Sequence, residues 1–288
     1  MERRTALRTT VVVAAGSAIA ATLTACGSDG GSGNAGTINL PADTALVKAS
    51  QRTGQADSFE ADLTIADTGD GGTTIRGSGD VRLRPNLAFT ATLDQLKVGG
   101  QTLPGVGSRA ILVGDTLYAK VPRLAEFATG GKPWLRLNVD RTGRRLGFGF
   151  DEITDAVQRV NPAEQTKMFT GSKDARRVGE EKIEGVRTGH YTGTVTLQDA
   201  LNRLDPQTRE KVRRWHTDGS DRLAFDIWID SENLPRKLVV KGTSKGHETS
   251  TVTVLYRDYG KKIRVNPPPA DQVGDVTDTV GRFLGGGN

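Results

Sequence analysis

The residues best able to do chemistry in this 288-residue chain are one cysteine, three histidines and a serine in a Gly-x-Ser-x-Gly run. Gly242-Thr243-Ser244-Lys245-Gly246 is followed at once by His247, the pairing that could activate a serine for attack on an ester. A nucleophile of that kind needs a strand, a sharp turn and then a helix, whereas Glu248 to Tyr256 alternates polar and apolar residues as a strand does. The run therefore reads as a hairpin turn, and binding without catalysis is expected. His190, His216 and His247 stand far apart, with no second histidine four residues on and no cysteine beside them, so metal-ligand spacing is missing. Carboxylates such as Glu180-Glu181 read as a solvated face. Neither a metal nor a cofactor is expected. Cys26, as the sole cysteine, cannot form an intramolecular disulfide and keeps a free thiol.

The neighbours of Cys26 say what that thiol is for. Arg3, Arg4 and Arg8 give a positive start, Val11 to Leu23 an apolar stretch, and Leu23-Thr24-Ala25-Cys26 closes it. Thirteen apolar-run residues fall short of the roughly 20 a membrane-crossing helix needs, and the small residues before Cys26 suit a processing enzyme. Leu-Thr-Ala-Cys resembles the bacterial lipoprotein signature, which implies a diacylglyceryl group on Cys26, palmitate-like acylation and removal of residues 1–25. Two acyl chains hold stably where one is marginal, at about 0.8 kcal/mol per buried methylene. Residues 26–41, Gly-rich from Gly27 to Gly36, read as a flexible tether. The expected location is the extracytoplasmic face of the cell membrane, lipid-anchored. General secretion is the default route, since Arg3-Arg4 only faintly resembles a twin-arginine signal and Ala6 stands where that signal has a large apolar residue.

The formal charge of +5 includes a net +2 from Arg3, Arg4, Arg8 and Glu2, which leaves +3 on the processed chain. No Lys/Arg run with interleaved aromatics accompanies it, so nucleic acid is excluded as a partner. Past the tether the chain reads as one domain, 42–272, with 273–288 a flexible tail. Asp43 as N-cap opens a helix that ends at Gly54. Strands follow at Phe59 to Ala66, Thr73 to Arg84, Asn86 to Leu96, Arg109 to Val113, Thr116 to Val121 and Trp134 to Val139. Ile153, Ala156, Val157 and Val160 repeat at helical spacing before Pro162. Strands resume at Arg176 to Ile183 and Val186 to Leu197 across a Glu184-Gly185 turn. A helical stretch from Leu197 to His216 carries Asp205 as a cap ahead of Pro206. Arg222 to Ile229, Arg236 to Gly242 and Glu248 to Tyr259 are the last strands, and Pro267-Pro268-Pro269 is expected to end the fold.

About eleven strands without βαβ alternation predict an α+β fold, a large curved antiparallel sheet, open or half-closed, with helices covering one face. Leu223, Phe225, Ile227 and Ile229 share one side of their strand, and Val252, Val254 and Tyr256 share one side of theirs. Only 35% of the residues are apolar and 5% aromatic, so these faces either pack as an ordinary core or enclose a ligand. Trp134, Phe225, Ile227, Ile229, Val252, Val254 and Tyr256 are the candidate cavity residues on that second reading.

Several segments carry a resemblance: the Cys26 signature, the helix to Gly54, the Phe59 strand, Gly79-Asp80-Val81-Arg82-Leu83, Gly114-Asp115-Thr116-Leu117-Tyr118-Ala119, Lys132-Pro133-Trp134-Leu135-Arg136-Leu137, and Leu223 to Asp230 with Leu234-Pro235-Arg236-Lys237. In this order they resemble the LppX/LprAFG family of actinobacterial cell-envelope lipoproteins. The resemblance implies a half-barrel sheet with helices on its concave side and an apolar cavity for multi-acyl lipids. It also implies a non-enzymatic carrier that moves acylated lipid or glycolipid across the envelope, with a membrane transporter as a further candidate partner. The competing reading is an envelope lipoprotein with a filled core that acts as a protein-binding or signalling module.

Overall fold

A computed structural model describes residues 39–67, 72–121, 124–141, 149–215, 221–244 and 247–277. The signal segment, Cys26, the Gly-rich tether and His216 lie outside the described residues. All described elements fall within one compact unit, Gly36–Asn288. Its strands and helices pack around two apolar clusters joined by Leu87 and Phe89, which is the anatomy of an independently folding domain.

Helix α1 (Ala42–Gly54) sets Ala42, Ala45, Leu46 and Ala49 along one buried stripe. Pro41, not Asp43, occupies the cap position, and its carbonyl accepts the Ala45 N–H at 2.9 Å. Asp43 sits inside the first turn, where its charge faces the positive end of the helix dipole. Six strands follow: β1 (Ser58–Asp67), β2 (Thr73–Arg82), β3 (Ala88–Val98), a two-residue β4 (Gln101–Thr102), β5 (Arg109–Val113) and β6 (Thr116–Lys120). Helix α2 (Leu124–Thr129) precedes β7 (Trp134–Asn138), and α3 (Phe150–Gln158) and α4 (Pro162–Phe169) come next. The second half runs β8 (Arg176–Ile183), β9 (Val186–Thr196), α5 (Leu197–Asn202), α6 (Pro206–Trp215), β10 (Arg222–Asp230), β11 (Pro235–Ser244) and β12 (His247–Arg257). A 3-10 turn, Ala270–Gln272, leads into β13 (Val273–Asp275).

Thirteen strands make one open sheet in the order β13-β7-β6-β5-β3-β2-β1-β12-β11-β10-β9-β8, with β4 against β3. Neighbours are antiparallel except β13 on β7. The chain thus stays in the sheet past the three prolines: Val276 is buried and its N–H donates to the Arg136 carbonyl at 3.0 Å. Arg136 also pairs with Asp275 at 2.7 Å. This corrects the expected end at Gln272, because a parallel strand of three residues gives too short a pattern to register after a proline run. Residues beyond Thr277 lie outside the described residues. The helical stretch expected from Leu197 to His216 is two helices. Asp205 caps the second as expected, its Oδ1 accepting the N–H groups of Gln207 and Thr208 at 3.1 and 3.0 Å.

The two faces of the sheet differ in character. Phe59, Tyr191, Leu223, Phe225, Ile227, Leu238, Val254 and Tyr256 lie on one side, buried beneath residues of α1, α4 and α5. The other side is polar. Arg257 there bridges Glu60, Asp62 and Glu184 at 2.8, 2.8 and 2.9 Å, tying β12 to β1 and to the β8–β9 turn. That turn needs left-handed backbone at both central residues, and Glu184 (φ 49°) and Gly185 (φ 83°) supply it.

The β10–β11 turn is organised by Asp230, which is 4% exposed. Its Oδ1 accepts the N–H groups of Glu232 and Leu234, both at 2.9 Å, and its Oδ2 meets Arg236 Nε at 2.6 Å. Removing it strands two N–H donors and a partly buried guanidinium. Asp230→Ala is expected to cost about 2–4 kcal/mol, read as a lower urea midpoint. An unchanged midpoint would show that solvent replaces these bonds.

Candidate functional site

The strand registers place small residues opposite one another across five strands. Ala61 faces Gly79, Gly79 faces Ala91, Ala91 faces Ala110 and Ala110 faces Ala119. Directly opposed residues share a side of the sheet, so the five form one row on the helix-facing side. The neighbouring row on that side is large: Phe59, Val81, Phe89, Leu112 and Leu117, again strictly opposed. Leu63 stands beyond the small row, opposite Gly77. Small residues flanked by larger ones make a trough that crosses the strands.

Glycine is required on β2. A Cβ at Gly79 would lie 2.3 Å from the Thr90 carbonyl oxygen, and one at Gly77 would lie 2.8 Å from that of Thr92. The register also shifts between Arg76 and Gly77. Bulge and glycines together bend the sheet, as they do where sheets curl.

Helix α3 and the turn after it roof the trough with Ile153, Ala156, Val157 and Val160, and the space between is a cavity of about 380 Å³. Ala61, Gly79, Ala91 and Ala110 line it, with Leu63, Ile75, Val81, Phe89 and Leu117 around them. Glu152 is the charged residue on the wall among the described residues. Its Oε2 accepts the Gly149 N–H at 2.5 Å, so the carboxylate is engaged in capping α3. The surface offered inward is mostly apolar and suited to hydrocarbon.

None of the seven residues expected to line a cavity lines this one. Phe225, Ile227, Ile229, Val254 and Tyr256 are buried in the closed part of the core, and Val252 packs half-buried against it. Phe225 stacks on Phe169 of α4, ring centroids 4.5 Å apart. Tyr256 packs edge-on to Phe59 at 6.0 Å, and burial pushes its phenol pKa well up. Trp134, 8% exposed, sits on β7 beside β13. The reason is the helix count above each region: α1, α4 and α5 fill the space over β9–β12, whereas α3 covers a face of small residues over β1–β6. Val254 and Tyr256 do share the helix-facing side with the trough, since they oppose Leu63 and Ala61. What the sequence reading missed was the position along the sheet, and the signal was the run of Gly and Ala inside strands, where both are depleted.

The other chemistry-bearing residues are dispersed. Ser244 ends β11 and His247 begins β12, directly opposed, so the Gly-x-Ser-x-Gly run joins strand to strand. His190 lies on the polar side, stacked on Trp228 at 4.2 Å, with its Nε2 2.9 Å from Asp226 Oδ1. Trp228 Nε1 donates to Glu181 at 3.0 Å. Among the described residues no group of three or more His, Cys, Asp or Glu could hold a metal ion, and no helix is long and apolar enough to cross a membrane.

Comparison with solved structures matches this architecture. LprF from Mycobacterium bovis superposes with a TM-score of 0.50, covering 80% of this chain and 97% of LprF at 15% identity. The chain has the LprF fold. The lipoprotein LppX of Mycobacterium tuberculosis superposes at 0.48, over 78% of this chain and 97% of LppX, with 16% identity. In sequence, the chain is 27% identical over 307 aligned positions to SCO4650 of Streptomyces coelicolor, named as a lipoprotein, covering 96% of this chain and 97% of that one. It is 28% identical to an uncharacterized 31.2 kDa protein of Streptomyces griseus, over 82% of this chain and 79% of the other. No family model matches. Within the LprF fold, the cavity found here is the part of the helix-facing side that the helices leave unfilled.

Proposed function

We propose that this protein is a non-catalytic lipid carrier, held on the outer face of the cell membrane by a lipidated Cys26, which shelters an acyl chain in the trough beneath α3. The observation that carries the reading is the row Ala61, Gly79, Ala91 and Ala110, which keeps a cavity of about 380 Å³ open where large side chains would close it. An acylated lipid cannot pass through an aqueous envelope with its chains exposed, because each methylene costs about 0.8 kcal/mol in water. The cavity is at the lower end of the roughly 300–1,000 Å³ typical of small-molecule sites. It therefore takes one chain, and a multi-acyl lipid or glycolipid would keep its headgroup and remaining chains outside. The likeness to proteins named as lipoproteins supports the anchor, and the Gly-rich segment after Cys26 gives the domain reach to move between the membrane and a recipient.

The test is native mass spectrometry with organic extraction on the chain from Gly36 onward, purified from an actinobacterial host without detergent. A lipid adduct of one molecule per chain is expected. A lipid-free mass from a stably folded protein would sink the carrier reading and turn attention to a protein-binding envelope module.

A further inference from the structure

The connection from β3 to β5 is unlike the rest of the surface. Val98 to Ser108 reads Val-Gly-Gly-Gln-Thr-Leu-Pro-Gly-Val-Gly-Ser, eleven residues without a charge, in a chain of which a quarter is charged. Its three large apolar side chains all face solvent: Val98 is 42% exposed, Leu103 37% and Val106 41%. The backbone nevertheless has a defined shape. Gly99 and Gly100 turn in left-handed conformation, the Leu103 N–H donates to the Leu96 carbonyl at 2.9 Å and the Gly107 N–H to that of Leu93 at 2.8 Å. These apolar groups are held out by hydrogen bonds, in a loop built to stay open.

Two further features say what covers it. Basic residues stand beside it: Lys97, opposite Thr102, lies next to Val98, and Arg109, which follows the run, has Lys120 as its direct cross-strand partner, with Arg109 and Lys120 exposed. The loop also continues one end of the cavity, because Ile75 on the cavity wall opposes Leu96, next to where the loop leaves β3.

We infer that the Val98–Ser108 loop is a membrane-docking element that inserts Val98, Leu103 and Val106 among the acyl chains of an anionic bilayer while Lys97, Arg109 and Lys120 meet its headgroups. Exposed apolar side chains with lysine and arginine beside them match such an interface, where hydrocarbon lies below and negative charge at the rim. Docking there brings the cavity end at Ile75 to the membrane surface, so an acyl chain can leave the bilayer without crossing water. The inference deepens the carrier reading and rests on it for its purpose, though not for its geometry.

The experiment uses the chain from Gly36 onward, which contains no cysteine. It should co-sediment with vesicles of phosphatidylglycerol and phosphatidylethanolamine. A polarity-sensitive fluorophore on Val106→Cys should shift to the blue on those vesicles, and the same fluorophore on Lys182→Cys, in the distant β8 strand, should not. The double variant Leu103→Asp/Val106→Asp should lose about tenfold or more in vesicle partition, yet bind a fluorescent fatty acid in solution as the parent does. Equal partition of parent and double variant, or no blue shift at position 106, would overturn the inference. So would a loop-dependent dimer in the absence of vesicles, which would make the loop a self-association surface. If fatty acid fails to bind while the loop still inserts, the carrier reading falls and the docking stands.

Discussion

Replacing Phe225 by alanine is expected to lower the unfolding free energy by about 3–5 kcal/mol, a large share of the roughly 5–15 kcal/mol that holds such a domain folded. The ring is 1% exposed and stacks on Phe169. Below it lies Gly193, where a Cβ would fall 2.8 Å from the ring, so β9 is glycine there to admit it. Truncation leaves a void between a strand and a helix, each already fixed by other contacts and unable to collapse into it. Urea denaturation should show a lower midpoint with an unchanged slope. The folded fraction should still bind one acyl chain, because Phe225 belongs to the closed core and not to the cavity wall. Loss of binding in fully folded Phe225→Ala would show that the closed region also takes cargo.

The opposite pattern is expected for Ala110→Trp. Ala110 lies in the small row on β5, and its side chain borders the cavity. An indole there occupies volume that about four methylenes of a ligand would otherwise fill. At about 0.8 kcal/mol each, their exclusion amounts to about 3 kcal/mol, or roughly a hundredfold in affinity for a fatty acid. Stability should change little, since the side chain enters a void instead of displacing packed neighbours. Displacement of a fluorescent fatty acid measures the effect, and unchanged affinity would mean that the chain does not lie in the trough. Together the two variants separate the residues that hold the fold from those that leave room in it.

The sheet was largely readable in advance because its strands carry clean local patterns. Leu223, Phe225, Ile227 and Ile229 alternate with Ala224, Asp226 and Trp228, and the structure puts the first set in the core. Glu184-Gly185 and Asp205-Pro206 announce a turn and a helix start through backbone requirements that few other residues meet. The failures are physical too. Pro162 looked like the end of one helix and proved to be the first residue of α4, with Asn161 Oδ1 accepting the Ala163 N–H at 3.1 Å. Proline stops a helix behind it and starts one ahead of it, and its sequence neighbourhood does not say which. Helix α2 and strand β13 are too short to show a period. The cavity is a property of register: Ala61, Gly79, Ala91 and Ala110 are unremarkable one strand at a time and form a trough only when four strands are aligned. Large apolar residues therefore mark the core, while the candidate site is marked by small side chains.

The seam between β1 and β12 has a consequence in time. Arg257 and Glu60, which close it, are 197 residues apart in the chain. Apart from β13 on β7, each half of the sheet is a meander that can assemble from near neighbours, but β1 finds its second partner only after the last long strand has been made and delivered. Until then its edge is open, and pairing so distant in sequence is slow to form and exposed to association with other chains. Such a protein gains from being threaded unfolded and released whole. The Arg257 bridge to Glu60, Asp62 and Glu184 fastens that seam, joining the earliest strand, the middle of the chain and the last long strand in one contact.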